Sequence, residues 1–390
     1  MQARLCLGFD ASKRIHRAQT ADLSMQQPFL LSRRRALQLA AGSLAAPALI
    51  KADIVNAADL DRAIGRLIMI GFSGKSAKGR FARSIANHVA KGRASSVVYL
   101  SGNIGSGRDV QGLNNLFHNA KVTHIAVDHE GGAVQRLREK QGFTRLPSAL
   151  RVAQTRDVAG AEKLYGVAAR ELAKMGFTLN LGPVADLHRA YNPVIGRNLR
   201  AYSADADTVV AYAAAFIRAH RRYGINTSLK HFPGHGLSNK DSHNGFVDIR
   251  DSWDPEELKP FSLLVRQGLA DIIMTGHLYV RISQQDNGEL TTFSRTLIRD
   301  VLQRGLQFKG LTMTDDLDMG AVRKVAKPRE AVLRAVEAGY DLLLLSNSLK
   351  PDPDHPAEAV DWIRSAIREG RIQEGRIFQS ADKIQRSRST

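Results

Sequence analysis

THIAVDH, residues 123–129, is a short unbroken apolar run that ends in a carboxylate and an imidazole. It lacks the alternation of a strand with one wet face, and reads as a strand buried on both faces, as in a parallel sheet. The same shape recurs in RLIMIGF (66–72), SVVYLSG (96–102), TLNLGPVAD (178–186), NTSLKHF (226–232), DIIMTGH (271–277), GLTMTDD (310–316) and DLLLLSN (341–347). Alanine-rich segments with helical spacing lie between several of these runs, for example at 157–175, 205–223 and 329–338. Eight buried strands alternating with helices predict an α/β fold of the (β/α)8 TIM-barrel type, with a doubly wound open sheet as the alternative. No Pro/Gly/Ser-rich linker divides the chain after residue 60, so residues 53–390 are expected to form one catalytic domain. The tail from residue 361 reads as one closing helix followed by a basic fray.

In such a barrel, chemistry gathers where the strands end. Those ends are polar here: Asp128 with Glu130, Asp186, Lys230 with His231, His277, and Asp315 with Asp316. One terminal carboxylate would be an ordinary helix cap. Five such ends describe a ring of hydrogen-bonding groups around one mouth, suited to a polyhydroxylated ligand. GFSGKS (71–76) resembles a phosphate loop, but the pattern needs a glycine where the chain has Met69.

The stretch KHFPGHGLSNKDSHNG (230–245) holds three histidines and an aspartate. Read as a metal site it would use His231, His235, His243 and Asp241, but Pro233 and Gly234 interrupt the helix that a four-residue histidine spacing requires. No metal and no cofactor are therefore expected. A plain glycine-rich polar loop is a second reading. The third is acid/base chemistry: Asp241 lies two residues from His243, near enough on a tight turn to fix its tautomer. A glycine-rich segment can carry such a pair over a substrate as a lid. The partner it needs is a nucleophile, for which Asp315 and Asp316 are the candidates.

These motifs resemble the family 3 glycoside hydrolases, in their single-domain bacterial β-N-acetylglucosaminidase branch. The likeness rests on VDHEGGAVQR (127–136), NLGPVADL (180–187), NPVIGRNLRAYSAD (192–205), KHFPGHGLSNKDSH (230–243), MTGH (274–277) and TDDLDMGAV (314–322). It implies that Asp315 is the nucleophile that forms a covalent glycosyl-enzyme. His243 would be the general acid/base, and Asp241 its orienting partner. Asp128, Arg200, Lys230 and His231 would hold hydroxyls of a terminal GlcNAc ring, and His277 would line the same pocket. The implied activity is retaining removal of terminal β-linked GlcNAc from peptidoglycan-derived or related glycans. A β-glucosidase or glycosyl phosphorylase on the same barrel, and a barrel that binds envelope glycan without cleaving it, are the alternatives. Two departures stand out. Ala133 occupies a position where the family carries arginine, and the spacing of IGRNLRAYS leaves both Arg197 and Arg200 as candidates to face the sugar.

Net charge is +18, of which residues 1–52 contribute +6. The basic residues are scattered without a run of four, and aromatics are 6%, so nucleic acid is not the expected partner. Ser32-Arg33-Arg34-Arg35 followed by ALQLAAGSLAAPALI (36–50) resembles a twin-arginine export signal. Its polar lead suggests translation from Met25 rather than from residue 1. The expectation is a periplasmic protein, cytoplasmic where the signal is silent, not inserted in the membrane and monomeric. The only cysteine is Cys6, which would leave the processed chain without a thiolate nucleophile or cysteine metal ligand.

Overall fold

In a computed structural model, which describes residues 57–282 and 288–387, each apolar run becomes a parallel strand. They are Ile68–Gly71 (β1), Ser96–Tyr99 (β2), His124–Val127 (β3), Leu179–Asn180 (β4), Asn226–Phe232 (β5), Ile272–Thr275 (β6), Leu311–Thr314 (β7) and Leu343–Leu345 (β8). They pair in the order β8-β1-β2-β3-β4-β5-β6-β7. A parallel bridge between Met313 and Leu342, with the Thr314 amide donating to the Leu342 carbonyl at 3.1 Å, joins the two edges. The open-sheet alternative therefore falls away: the sheet closes into a barrel and leaves no edge exposed.

Helices separate every pair of successive strands. Two of the longest start where the sequence supplies a cap. The Asp157 carboxylate accepts the Gly160 amide, and Asp205 accepts the Thr208 amide, both at 2.8 Å. Each such cap contributes about 1 kcal/mol to its helix. The helices Val158–Met175 and Pro328–Ala338 end at Gly176 and Gly339, whose φ values of 89° and 112° are the left-handed exit that glycine permits. The tail corrects the sequence reading. It forms two helices, His355–Arg368 and Glu374–Ser387, with Ile363, Ala366, Ile377, Ala381 and Ile384 buried against the barrel core.

No helix among the described residues is long and apolar enough to cross a membrane. The arginine-rich run at 32–50, Met25 and Cys6 lie outside the described residues.

Two local features position the site. After β3 the chain folds into a small antiparallel hairpin, His129–Gly131 against Val134–Gln135. Asn180, at the end of β4, clamps that hairpin: its Oδ1 accepts the His129 amide and its Nδ2 donates to the His129 carbonyl, both at 3.0 Å. β4 is only two residues long, but single backbone bonds continue beyond it, from the Leu181 amide to the Val127 carbonyl and from the Ser228 amide to the Gly182 carbonyl, and a bridge forms at Val184 against Lys230.

Candidate active site

One side of the mouth is a knot of buried charges. The Lys230 Nζ donates to Asp128 Oδ1 at 2.8 Å and lies 2.7 Å from Glu130 Oε1, with only 3% of its side chain exposed. The Arg200 guanidinium donates twice to Glu130, at 2.9 and 2.8 Å, in the fork geometry that carboxylates favour. Arg136 donates to the free oxygen of Asp128 at 3.1 Å. Burial alone would raise the Asp128 carboxyl, but Lys230, Arg136 and Arg200 outweigh it and hold it well below the usual carboxylate range. Glu130 is lowered by the same balance, burial opposed by Arg200 and Lys230. Burial would discharge Lys230, yet Asp128 and Glu130 raise its pKa instead. Asp128, Glu130 and Lys230 are thus each held toward their charged forms.

Beneath the knot, Asp186 is fully buried and accepts three bonds. They come from the His231 amide at 3.0 Å, the His231 Nδ1 at 2.8 Å and the His235 amide at 2.9 Å. With Nδ1 carrying the proton toward Asp186, the His231 Nε2 is the acceptor, 3.5 Å from Arg200. The three histidines of the 230–245 stretch therefore have separate tasks. His231 faces the knot; His235 bonds Ser238 and Ser242 through its two ring nitrogens. His243 bonds Asp241.

Across the barrel, Asp315 follows β7. Burial would raise its carboxyl, but the His277 and His231 imidazoles, the Asp316 amide at 2.7 Å and Lys230 hold it below the usual range. It is an anion poised beside cationic and hydrogen-bonding groups, the state a nucleophile requires. Asp316 differs: burial pushes its carboxyl up to about 7, and its oxygen is occupied by the Asp318 and Ser346 amides. The geometry thus separates two adjacent carboxylates that the residues alone left equivalent.

His277 was expected to line the sugar pocket. It is instead fully buried, with Nδ1 on the Thr292 hydroxyl at 2.6 Å and Nε2 on the Asp316 carbonyl at 2.9 Å. Neither nitrogen is left for a ligand; His277 acts on the Asp315 carboxylate only electrostatically. Of the two candidate arginines, Arg197 is exposed while Arg200 is buried on Glu130. Sequence reasoning named Glu130 only as a polar strand end, and missed Arg136. The signal for Arg136 was present: it lies on the far arm of the hairpin that Gly131 and Gly132 turn, with φ of 108° and 57°.

Asp241 and His243 sit at the rim. The His243 Nδ1 lies 2.7 Å from Asp241 Oδ1, which also accepts the His243 amide at 2.9 Å. The His243 side chain is 62% exposed, and Nδ1 is the ring nitrogen that Asp241 holds. Its loop is tied to the segment beyond Asp315: Gly320 donates to the His243 carbonyl, Ala321 to the Ser242 carbonyl, both at 3.2 Å, and Lys324 to the Asn244 carbonyl at 2.8 Å. His243 and Asp315 both act electrostatically on His277.

A knot of buried charges, an anionic carboxylate after β7 and an exposed histidine–aspartate pair are the kinds of group that cleavage of a glycosidic bond uses. The Glycosyl hydrolase family 3 N terminal domain matches residues 59–387. The chain belongs to glycosyl hydrolase family 3. It is a glycoside hydrolase, and its substrate is a carbohydrate.

Within the family, the chain is similar to a β-hexosaminidase of Neisseria meningitidis, 33% identical over 277 residues, which are 66% of this chain and 74% of that protein. It is also similar to β-hexosaminidase LpqI of Mycobacterium tuberculosis, 35% identical over 266 residues, 67% of this chain and 66% of the other. Among solved structures, the β-N-acetylhexosaminidase of Beutenbergia cavernae superposes with a TM-score of 0.76 at 26% identity, covering 85% of this chain and 98% of that one. The family 3 β-N-acetylglucosaminidase of a Paenibacillus species gives 0.75 at 28% identity, covering 85% of this chain; the match spans only 62% of that longer enzyme.

Proposed function

We propose that the protein is a retaining exo-β-N-acetylglucosaminidase acting on terminal β-linked GlcNAc of peptidoglycan-derived or related glycans. Asp315 attacks the anomeric carbon while His243 protonates the departing glycosidic oxygen, giving a glycosyl-aspartate. His243 then takes a proton from water, whose oxygen displaces Asp315 and restores both groups. Asp241 keeps the imidazole oriented through both half-reactions. Asp128, Lys230, Arg200 and His231, joined by Glu130 and Arg136, take up the ring hydroxyls. The observation that carries this reading is the pairing of an ionised, charge-stabilised Asp315 with an exposed Asp241–His243 pair tied to Gly320.

The names of the similar proteins support the choice of sugar. The test is hydrolysis of aryl β-GlcNAc and aryl β-glucoside, with and without phosphate, by wild type and Asp315→Asn. Turnover confined to the GlcNAc glycoside, indifferent to phosphate and lost in the variant, is expected. Preference for glucose, dependence on phosphate, or undiminished turnover by Asp315→Asn overturns the assignment. Export through the arginine pair at 33–34 is proposed alongside, and fractionation of cells for periplasmic activity tests it.

A further inference from the structure

Behind the wall that carries Glu130 and Arg200 lies a second cleft of about 710 Å³, which the proposed chemistry does not use. Its lining includes four arginines, Arg138, Arg145, Arg151 and Arg197, and a single carboxylate, Glu139. Several guanidiniums elsewhere in the protein are neutralised by carboxylates. Arg200 is paired with Glu130, Arg221 with Asp271, and Arg371 with Glu330 and Glu337. None of the four arginines of the cleft makes an ion pair among the described residues. Arg138 donates to the Gln135 carbonyl and Arg151 to the neutral Gln154 amide, and all four side chains belong to exposed residues.

The cleft is also built rather than frayed. The Gly132 amide donates to the Leu146 carbonyl at 2.9 Å, the Leu146 amide to the Gln135 side chain at 2.9 Å, and the Leu150 amide to the Leu199 carbonyl at 3.2 Å. These bonds tie its three walls together. Gly132 packs so closely on Ser148 that a Cβ there would come within 2.7 Å of the Ser148 Cβ. Ala133 contributes only a methyl group to the lining.

We propose that this cleft is an oxyanion subsite, which takes a carboxylate or phosphate carried on the glycan outside the hydrolysed ring. Four unpaired guanidiniums around one concavity repel each other, and an oxyanion relieves that repulsion while accepting forked hydrogen bonds. The cleft is joined to the catalytic mouth through the chain: Gly132 and Ala133 follow Glu130, and Asn198 and Leu199 precede Arg200. The proposal rests on the glycosidase reading above and adds the chemistry of the substrate's remainder.

The test compares wild type with the double variant Arg145→Ser/Arg151→Ser, two exposed positions whose guanidiniums make no ion pair among the described residues. Three probes are used: chitobiose, which is neutral; N-acetylglucosaminyl-β-1,4-N-acetylmuramic acid, which carries a lactyl carboxylate; and the methyl ester of the latter. The variant is expected to raise KM for the carboxylate disaccharide about tenfold, with kcat unchanged and with chitobiose and the ester unaffected. Added salt should weaken only the carboxylate substrate, and only in wild type. Inorganic phosphate should compete with that substrate and leave chitobiose alone, whereas inhibition of both alike overturns the subsite. Equal KM changes on all three probes, or none on any, overturn it as well. Should no probe be hydrolysed, the glycosidase assignment fails by itself; calorimetric binding of the carboxylate disaccharide, weaker in the variant, then still supports the cleft, and equal binding overturns it.

Discussion

The Gly320 amide donates to the His243 carbonyl at 3.2 Å, so the loop that carries the histidine is anchored five residues beyond Asp315. The approach is close: a Cβ on Gly320 would come within 2.5 Å of that carbonyl oxygen. Gly320→Ala must therefore push the loop outward by a sizeable fraction of an ångström. Displacements of that order cost up to about 10²-fold in rate when they separate reacting groups. The variant is expected to fold normally by circular dichroism and to lose about 10- to 100-fold in kcat/KM on chitobiose. Unchanged kinetics would show that the anchor does not set the position of His243.

Lys230 stands between Asp128 and Glu130 with almost no exposure. Lys230→Met leaves two buried carboxylates that share only Arg136 and Arg200. Removing one partner of a buried ion pair typically costs 3–5 kcal/mol, and the two remaining arginines should hold the loss near the lower figure, about 3 kcal/mol. The expected outcome is a lower denaturant midpoint together with loss of activity. A midpoint equal to that of wild type would mean that the knot is solvated and contributes only to sugar binding.

Much of this was legible in the sequence, for a definite reason. A strand buried on both faces must be apolar through its length, so THIAVDH or DIIMTGH declares itself without any partner. The polar residue that follows is equally visible, because it breaks the apolar run. What sequence could not supply is pairing across the mouth. Glu130 and Arg200 are 70 residues apart, and Asp186 and His231 are 45 apart, so neither contact leaves a local pattern. The same limit explains His277. Its place at a strand end was plain, but its commitment to Thr292 and the Asp316 carbonyl depends on a neighbouring loop and strand. Nothing in the local sequence marks Arg145 and Arg151, and only the folded chain gathers them with Arg138 and Arg197 around one cleft.

The exposed His243, held by Asp241, should reveal itself through leaving-group dependence. A nitrophenolate departs without protonation, whereas a sugar alkoxide does not. His243→Ala is therefore expected to lose about 10²- to 10⁴-fold on chitobiose and much less on the nitrophenyl glycoside. Asp241→Ala should show the same dependence, weakened, since the imidazole remains but its orientation is lost. Equal losses on both substrates would remove His243 from the role of acid.

Glu257 gives a pH signature. It is fully buried beneath the 234–236 turn, where it accepts the Gly236 amide at 3.3 Å and the Leu187 amide at 3.4 Å. A Cβ on Gly236 would come within 2.5 Å of its Oε1, and one on Gly234 would collide with its stem. Burial, followed by the nearby Asp186 charge, pushes its carboxyl up to about 8, against the partial relief of the two amides and Arg189. The folded protein thus keeps a proton here that the unfolded chain releases near pH 4.5. Stability from this group is complete below pH 4.5 and is lost as pH rises through 8. Glu257→Gln mimics the protonated acid and cannot ionise. Relative to the variant, wild type should lose up to about 5 kcal/mol between pH 4.5 and pH 8.5, read from denaturant midpoints at each pH. A difference between the two proteins that stays constant across that range would mean that Glu257 is ionised in the fold and that the turn beneath His235 rests on a charge.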